Sequence, residues 1–153
     1  MISVHLSRDK VRNGERLSGT VSWRAEGSKT PRKIEALCRW RTEGSGTKSG
    51  EVVCRVEQAN LEGRNEVTIP VQFDIPREGP LSYDGKVLRI IWEVVANADL
   101  PMARDEHDVK TFTVVARKWD AEEWVKSDDE TDEDEDDDEE DDDEEDDDEE
   151  GSV

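Results

Sequence analysis

The sequence is poor in the residues that do chemistry. It has two histidines, His5 and His107, and two cysteines, Cys38 and Cys54. The cysteines have no Cys-x-x-Cys spacing, and a zinc site would need all four side chains to converge from distant segments. Surface histidines and core cysteines explain them more simply. No Ser/His/Asp arrangement, phosphate-binding glycine loop or dinucleotide fingerprint occurs. The chain is therefore expected to be no enzyme and to carry no cofactor or metal. Apolar runs fall short of the ~18 residues that a membrane-spanning helix needs. No basic stretch followed by an apolar one comes after Met1, so no signal peptide is expected and the cytoplasm is the default compartment. In a reducing compartment Cys38 and Cys54 are expected as small buried thiols. They fall on neighbouring expected strands, so a cross-strand disulfide is the alternative. Convincing 3.6-residue periodicity is missing throughout the first 117 residues.

What the chain has in excess is acid, and nearly all of the excess lies at one end. The formal net charge is −21, yet residues 128–150 hold 22 acidic side chains and no basic one. Residues 1–117 carry 19 basic and 17 acidic groups, a net charge of +2. The expected organisation is a nearly neutral domain over 1–117, a linker over 118–127 and an Asp/Glu-rich tail over 128–153. The tail begins Asp128-Asp129-Glu130 and repeats Asp-Asp-Asp-Glu-Glu from Asp136, from Asp141 and from Asp146, ending at Glu150. Like charges at this density repel and there is no apolar surface to bury, so disorder is expected. Three roles suit such a tail: a solubilising extension, capture of basic proteins by many weak salt-sensitive contacts, or docking back onto a cationic patch of the domain. Nucleic acid is a poor partner for a barely basic domain with a tail that repels phosphate.

The first 117 residues read as strands. Ile2, Val4 and Leu6 alternate with polar residues, as do Leu17, Gly19, Val21 and Trp23 after the Asn13-Gly14 turn. Ile34, Ala36, Cys38 and Trp40 share one face of a third strand, and Val52, Cys54 and Val56 mark a fourth. Val67, Ile69, Val71, Phe73 and Ile75 have the cleanest period of two; Pro70 inside that run predicts an edge strand or a bulge. Lys86–Ala98 is the longest mainly apolar stretch. It has Leu88, Ile90, Trp92, Val94, Ala96 and Ala98 on one face, and Val87, Ile91 and Val95 mixed with Arg89, Glu93 and Asn97 on the other. It predicts a central strand of a two-layer structure. A last strand carries Phe112 and Val114. These seven strands at their turn spacing predict an all-β, immunoglobulin-like antiparallel sandwich, with Trp23, Trp40 and Trp92 in its core.

Three stretches give this sandwich a more specific character. Val11-Arg12-Asn13-Gly14-Glu15-Arg16-Leu17-Ser18-Gly19-Thr20-Val21 places a Gly-Glu turn before a strand with Gly-x-Val. Val67 to Pro76 is a strand ending in an apolar-Pro step. Pro80-Leu81-Ser82-Tyr83-Asp84-Gly85 is a Pro-x-Ser-x-x-Gly loop leading into the long central strand. In order and spacing the set resembles the arrestin fold, over residues 1 to about 117. Arrestins proper have two such domains with a polar core between them, and this chain has room for one. The resemblance implies a single arrestin-type half with a scaffold or adaptor role, and it leaves open pairing with a second arrestin-like domain.

The candidate sites are surface features. Arg39, Arg41, Arg55 and Arg89 lie on the less apolar strand faces. They form a cationic patch for a partner or the tail if their strands share a sheet, the alternative being cross-strand pairing with nearby glutamates. Asp99, Asp105, Glu106 and Asp108 surround one loop without EF-hand spacing, so a solvated loop is expected rather than a cation site. The function expected is a non-catalytic module that binds a protein partner, its tail tuning solubility or charge complementarity. The alternative is an acidic chaperone or buffer for basic proteins, with the sandwich as carrier.

Overall fold

The computed structural model describes residues 1–117; the expected linker over 118–127 and the acidic tail over 128–153 lie outside the described residues. Nine strands follow one another: β1 (Ile2–Leu6), β2 (Lys10–Arg12), β3 (Arg16–Arg24), β4 (Lys33–Gly44), β5 (Gly50–Ala59), β6 (Glu66–Asp74), β7 (Tyr83–Asp84), β8 (Leu88–Asp99) and β9 (Glu106–Val115). They form two sheets, one in the order β1-β3-β6 and the other in the order β2-β9-β8-β4-β5, with β7 also on β8. The all-β sandwich and the seven expected strands are present. Two short strands, β2 and β7, add to them, and β2 runs parallel to β9. With three and two residues, neither is long enough to show a period.

Alternation decides which faces meet. In β6 every second residue, Val67 to Phe73, is buried and the others are exposed. In β8 Trp92, Val94, Ala96 and Ala98 are all buried. These side chains interleave with Leu17, Val21 and Trp23 of β3 and Ile34, Ala36 and Cys38 of β4. The indole of Trp92 lies 6.0 Å from the Phe112 ring, so it is a core residue, as is Trp23. Trp40 is half-buried at the margin of the core. Two core residues, Val11 and Leu61, come from segments with no strand pattern of their own. Pro70 sits on the outer strand of the three-stranded sheet, opposite Thr20 in regular register. The edge expectation therefore holds, and no bulge is needed there. Cys38 and Cys54 stand directly opposite each other on β4 and β5, and both are free. Burial, reinforced by Cys54, pushes the Cys38 thiol up to about 12.

The three motif stretches converge at one end of the sandwich. Gly14, at φ +82°, makes the turn that a side chain would strain. Its N–H donates to Ile75 O at 2.8 Å, and the Ile75 N–H donates to Glu15 O at 2.9 Å. The Gly-Glu turn and the apolar-Pro step are thus two sides of one junction. In the third motif the Pro80 carbonyl accepts the Trp92 indole N–H at 2.8 Å. Ser82 then bonds Val114 twice: its N–H donates to the Val114 carbonyl at 2.9 Å, and its hydroxyl accepts the Val114 N–H at 2.8 Å. At Gly85 an added Cβ would come within 2.4 Å of the Tyr83 ring and 2.8 Å of Leu88 O. Each named residue of the Pro-x-Ser-x-x-Gly loop therefore has a packing reason. The loop wedges Ser82–Asp84 between β8 and β9 where those strands part, because the β8–β9 register stops at Trp92–Phe112 and β7 takes over opposite Ile90 and Arg89.

Candidate functional site

The register of the larger sheet fixes what its outer face presents. Among the described residues no second layer covers this face. One row across β9, β8, β4 and β5 reads Val109, Val95, Leu37, Arg55; the next reads Thr111, Glu93, Arg39, Val52. Leu37 and Val95 are buried although they point away from the core, while Val109 is 42% exposed. Long charged side chains lay their aliphatic stems beside such residues and cover them without a second layer.

Glu93 is the buried charge of this face, only 2% exposed. Arg39 and Arg41, two apart on β4, point to the same side and reach one of its oxygens. Arg39 Nε and Nη2 each lie 2.8 Å from Oε1, and Arg41 Nε lies 3.1 Å from it. Arg41 also reaches Glu43 at 3.5 Å. Arg89 binds Glu43 at 3.4 Å and Asp84 at 2.8 Å. Partial burial pulls the Arg41 pKa down, but the hydrogen bond and charge of Glu93, joined by Glu43, outweigh it and leave the guanidinium above its ordinary value. Arg39, Glu93, Arg41, Glu43, Arg89 and Asp84 thus form one continuous chain of three cations and three anions.

The four arginines singled out from the sequence do share one sheet face, but they do not make one cationic patch. Three join that neutral chain. Arg55 belongs to a second cluster, 3.7 Å from Glu35, where Lys33 sits 3.2 Å from Glu35 and 3.3 Å from Glu57. Cross-strand pairing accounts for all four. The residue that organises the larger network, Glu93, was visible as an acid in an apolar strand, but its partners depend on the β4–β8 register, which no local pattern encodes.

Two hollows flank the apolar row. One, of about 680 Å³, opens over the wedge and is lined by Lys10, Arg41, Glu43, Tyr83, Arg89 and Ile91, among others. The other, of about 710 Å³, lies between Lys33, Glu35, Asn97, Asp99, Arg104, Asp105 and His107. Three of the four acids around the β8–β9 loop are engaged as side-chain acceptors. Asp105 takes the Leu100 N–H at 3.3 Å, Glu106 the Trp23 indole N–H at 3.0 Å and Asp108 the Val4 N–H at 2.8 Å. Among the described residues no three of His, Cys, Asp and Glu gather as they would around a metal ion. No helix among them is long and apolar enough to cross a membrane.

No protein-family model matches the chain, and no curated protein matches it in sequence. Its structure is similar to that of Spo0M, a sporulation control protein from Bacillus subtilis, with a TM-score of 0.58 and 20% sequence identity. The match covers 76% of this chain and 49% of that one, so the chain spans about half the length of the solved structure it resembles. At this identity the likeness speaks to fold alone, and the fold it shows is an arrestin-like β-sandwich.

Proposed function

We propose that this chain is a non-catalytic, cytoplasmic protein-interaction module of scaffold or adaptor type, recognising its partner with the outer face of the larger sheet. The observation that carries this reading is an outer face with no covering layer among the described residues, on which Val109 of β9 and Val52 of β5 stay 42% and 44% exposed among charged side chains and two hollows. Apolar side chains exposed among charged and polar ones are within the ordinary composition of a protein-binding surface. The neutral charge chain favours a partner of mixed polarity over a strongly anionic one. The description of Spo0M as a control protein is in keeping with a regulatory role. The acidic tail then tunes solubility and the long-range approach of partners.

Affinity capture tests this with three baits: the full chain, the chain ended after Arg117, and a Val109→Glu variant. The expected outcome is a partner that binds the first two and is lost from the third. Capture that ignores Val109→Glu removes the outer face from the reading. A second reading, an acidic chaperone or buffer for basic proteins, is favoured by the density of acid in residues 128–150. It requires that capture vanish with the tail and with moderate salt.

A further inference from the structure

Among the described residues, and leaving aside the two-residue β7 and the part of β9 that β2 does not cover, four strands have an edge without a neighbour in their sheet, and three of these edges are blunted. The β6 edge carries Pro70, which has no N–H to offer. On β1 the Val4 N–H is occupied by Asp108 of β9, at 2.8 Å. The β2 strand has three residues. The fourth, β5, runs ten residues from Gly50 to Ala59 with neither proline nor lysine, and β4 is its one partner.

The open side of β5 follows from alternation. Thr42 of β4 donates its N–H to Ser49 O at 2.9 Å, so even-numbered β4 residues direct their backbone groups toward β5. Across the registered pairs Cys38–Cys54, Ala36–Val56 and Ile34–Gln58, the same holds for Cys54, Val56 and Gln58. Arg55, Glu57 and Ala59 therefore turn their N–H and C=O groups to the free edge. A register shift between Cys38 and Arg39 interrupts the ladder, leaving Cys54–Ala59 as its regular part. The apolar side is open as well. Val53, Cys54 and Val56 pack against the core but stay half-buried, because the three-stranded sheet does not extend over them.

We infer that β5 pairs with β5 of a second copy of this chain, antiparallel about a two-fold axis at Val56. A strand meeting its own copy has few regular registers, and side-chain charge selects among them. An axis at Arg55 sets arginine against arginine, and an axis at Glu57 sets glutamate against glutamate. An axis at Val56 sets Arg55 opposite Glu57 of the other copy, twice by symmetry. It also makes these the hydrogen-bonded pairs, since their backbone groups already face the edge. Val56 then meets its symmetry mate in the close, non-hydrogen-bonded position. Arg55 is available for this role, since its present contact, with Glu35 at 3.7 Å, is the longest ion pair on the sheet. Within the regular part of β5 this axis pairs five residues a side, Cys54–Gln58; the interface is small, so association is weak and concentration-dependent.

The test is sedimentation equilibrium of the full chain over a wide concentration range at about 0.15 M salt, where the Debye length of about 8 Å screens much of the repulsion between two acidic chains. The expected result is a monomer–dimer equilibrium. Arg55→Glu and Glu57→Arg should each weaken it about tenfold or more, because each opposes like charges twice. An equimolar mixture of the two variants should associate again, the acidic pair of one meeting the basic pair of the other. Both positions are exposed, and circular dichroism checks that the fold persists. In a Cys54→Ser background, oxidation should cross-link Val56→Cys between copies faster than Arg55→Cys, because only residue 56 meets its own mate at disulfide distance. A wild-type chain that stays monomeric up to about millimolar concentration overturns the inference. So does a dimer indifferent to both charge reversals, or a mixture that fails to re-associate.

Discussion

The two faces of β8 are buried by different means. On the inner face Trp92, Val94, Ala96 and Ala98 are shielded by the opposite sheet and are wholly apolar. On the outer face Glu93 and Val95 are almost as well buried, at 2% and 8% exposure, with only neighbouring side chains over them. An inner position is protected by a layer that cannot move without unfolding, so it must be apolar and shaped to fit. An outer position is protected by side chains such as Arg39 and Arg41, which are themselves 40% and 37% exposed. It can therefore hold a charge, provided that the cover brings counter-charges with it.

The largest break in this contrast is Trp92→Ala. It removes an indole packed on Phe112 and the donor to Pro80 O. It should cost about 3–5 kcal/mol, read as a fall in the denaturant midpoint. Leu37→Ala, on the outer face, should cost about 2 kcal/mol, because the surrounding stems can settle into the space. Glu93→Gln comes next at about 1–2 kcal/mol. It removes the charge shared by two arginines, but each guanidinium can turn to water. Equal losses for Trp92→Ala and Leu37→Ala would show that the outer face is packed as rigidly as the core.

How much of this was legible beforehand follows the same division. The inner faces announce themselves by period, which is why β3, β6 and β8 were readable and why the tryptophans at 23 and 92 were placed in the core. The arrestin-like loop was readable because Pro80, Ser82 and Gly85 each answer a local demand of the backbone. The outer face was readable only as composition. Arg39, Arg41, Arg55 and Arg89 could be assigned to polar strand faces, but their partners come from β7, β8 and the far end of β4, and the register that unites them is non-local. Val11 and Leu61 escaped for a related reason: each is buried by the strands around it and not by any pattern of its own. The unequal protection of the sheet edges was equally hidden, since it depends on strand order.

Glu57 offers the gentlest test, because it is the exposed counterpart of Glu93 on the same face. The hydrogen bond from Lys33 holds its carboxyl below the usual value, helped by a hydrogen bond with Glu35 and by the charges of Lys33 and Arg55. Lys33 is raised in turn, first through Glu35 and then through Glu57. A carboxyl depressed in the folded state adds stability above its unfolded value of about 4.3 and loses it as the pH falls through the folded one. The Lys33 contribution is present below about pH 10.4 and is lost as the pH rises through its raised value. Both groups are solvated, so the effect on stability is small and the titration itself is the better readout. Following the Glu57 carboxyl carbon by NMR, Lys33→Met should move its midpoint upward toward the ordinary value, and about 1 M salt should do most of the same in the wild type. The cost of Glu93→Gln should change far less with salt, since water and ions do not reach that carboxylate. A salt response equal at the two sites would mean that the outer face is open to solvent at Glu93, and that the cover over it is not closed in solution.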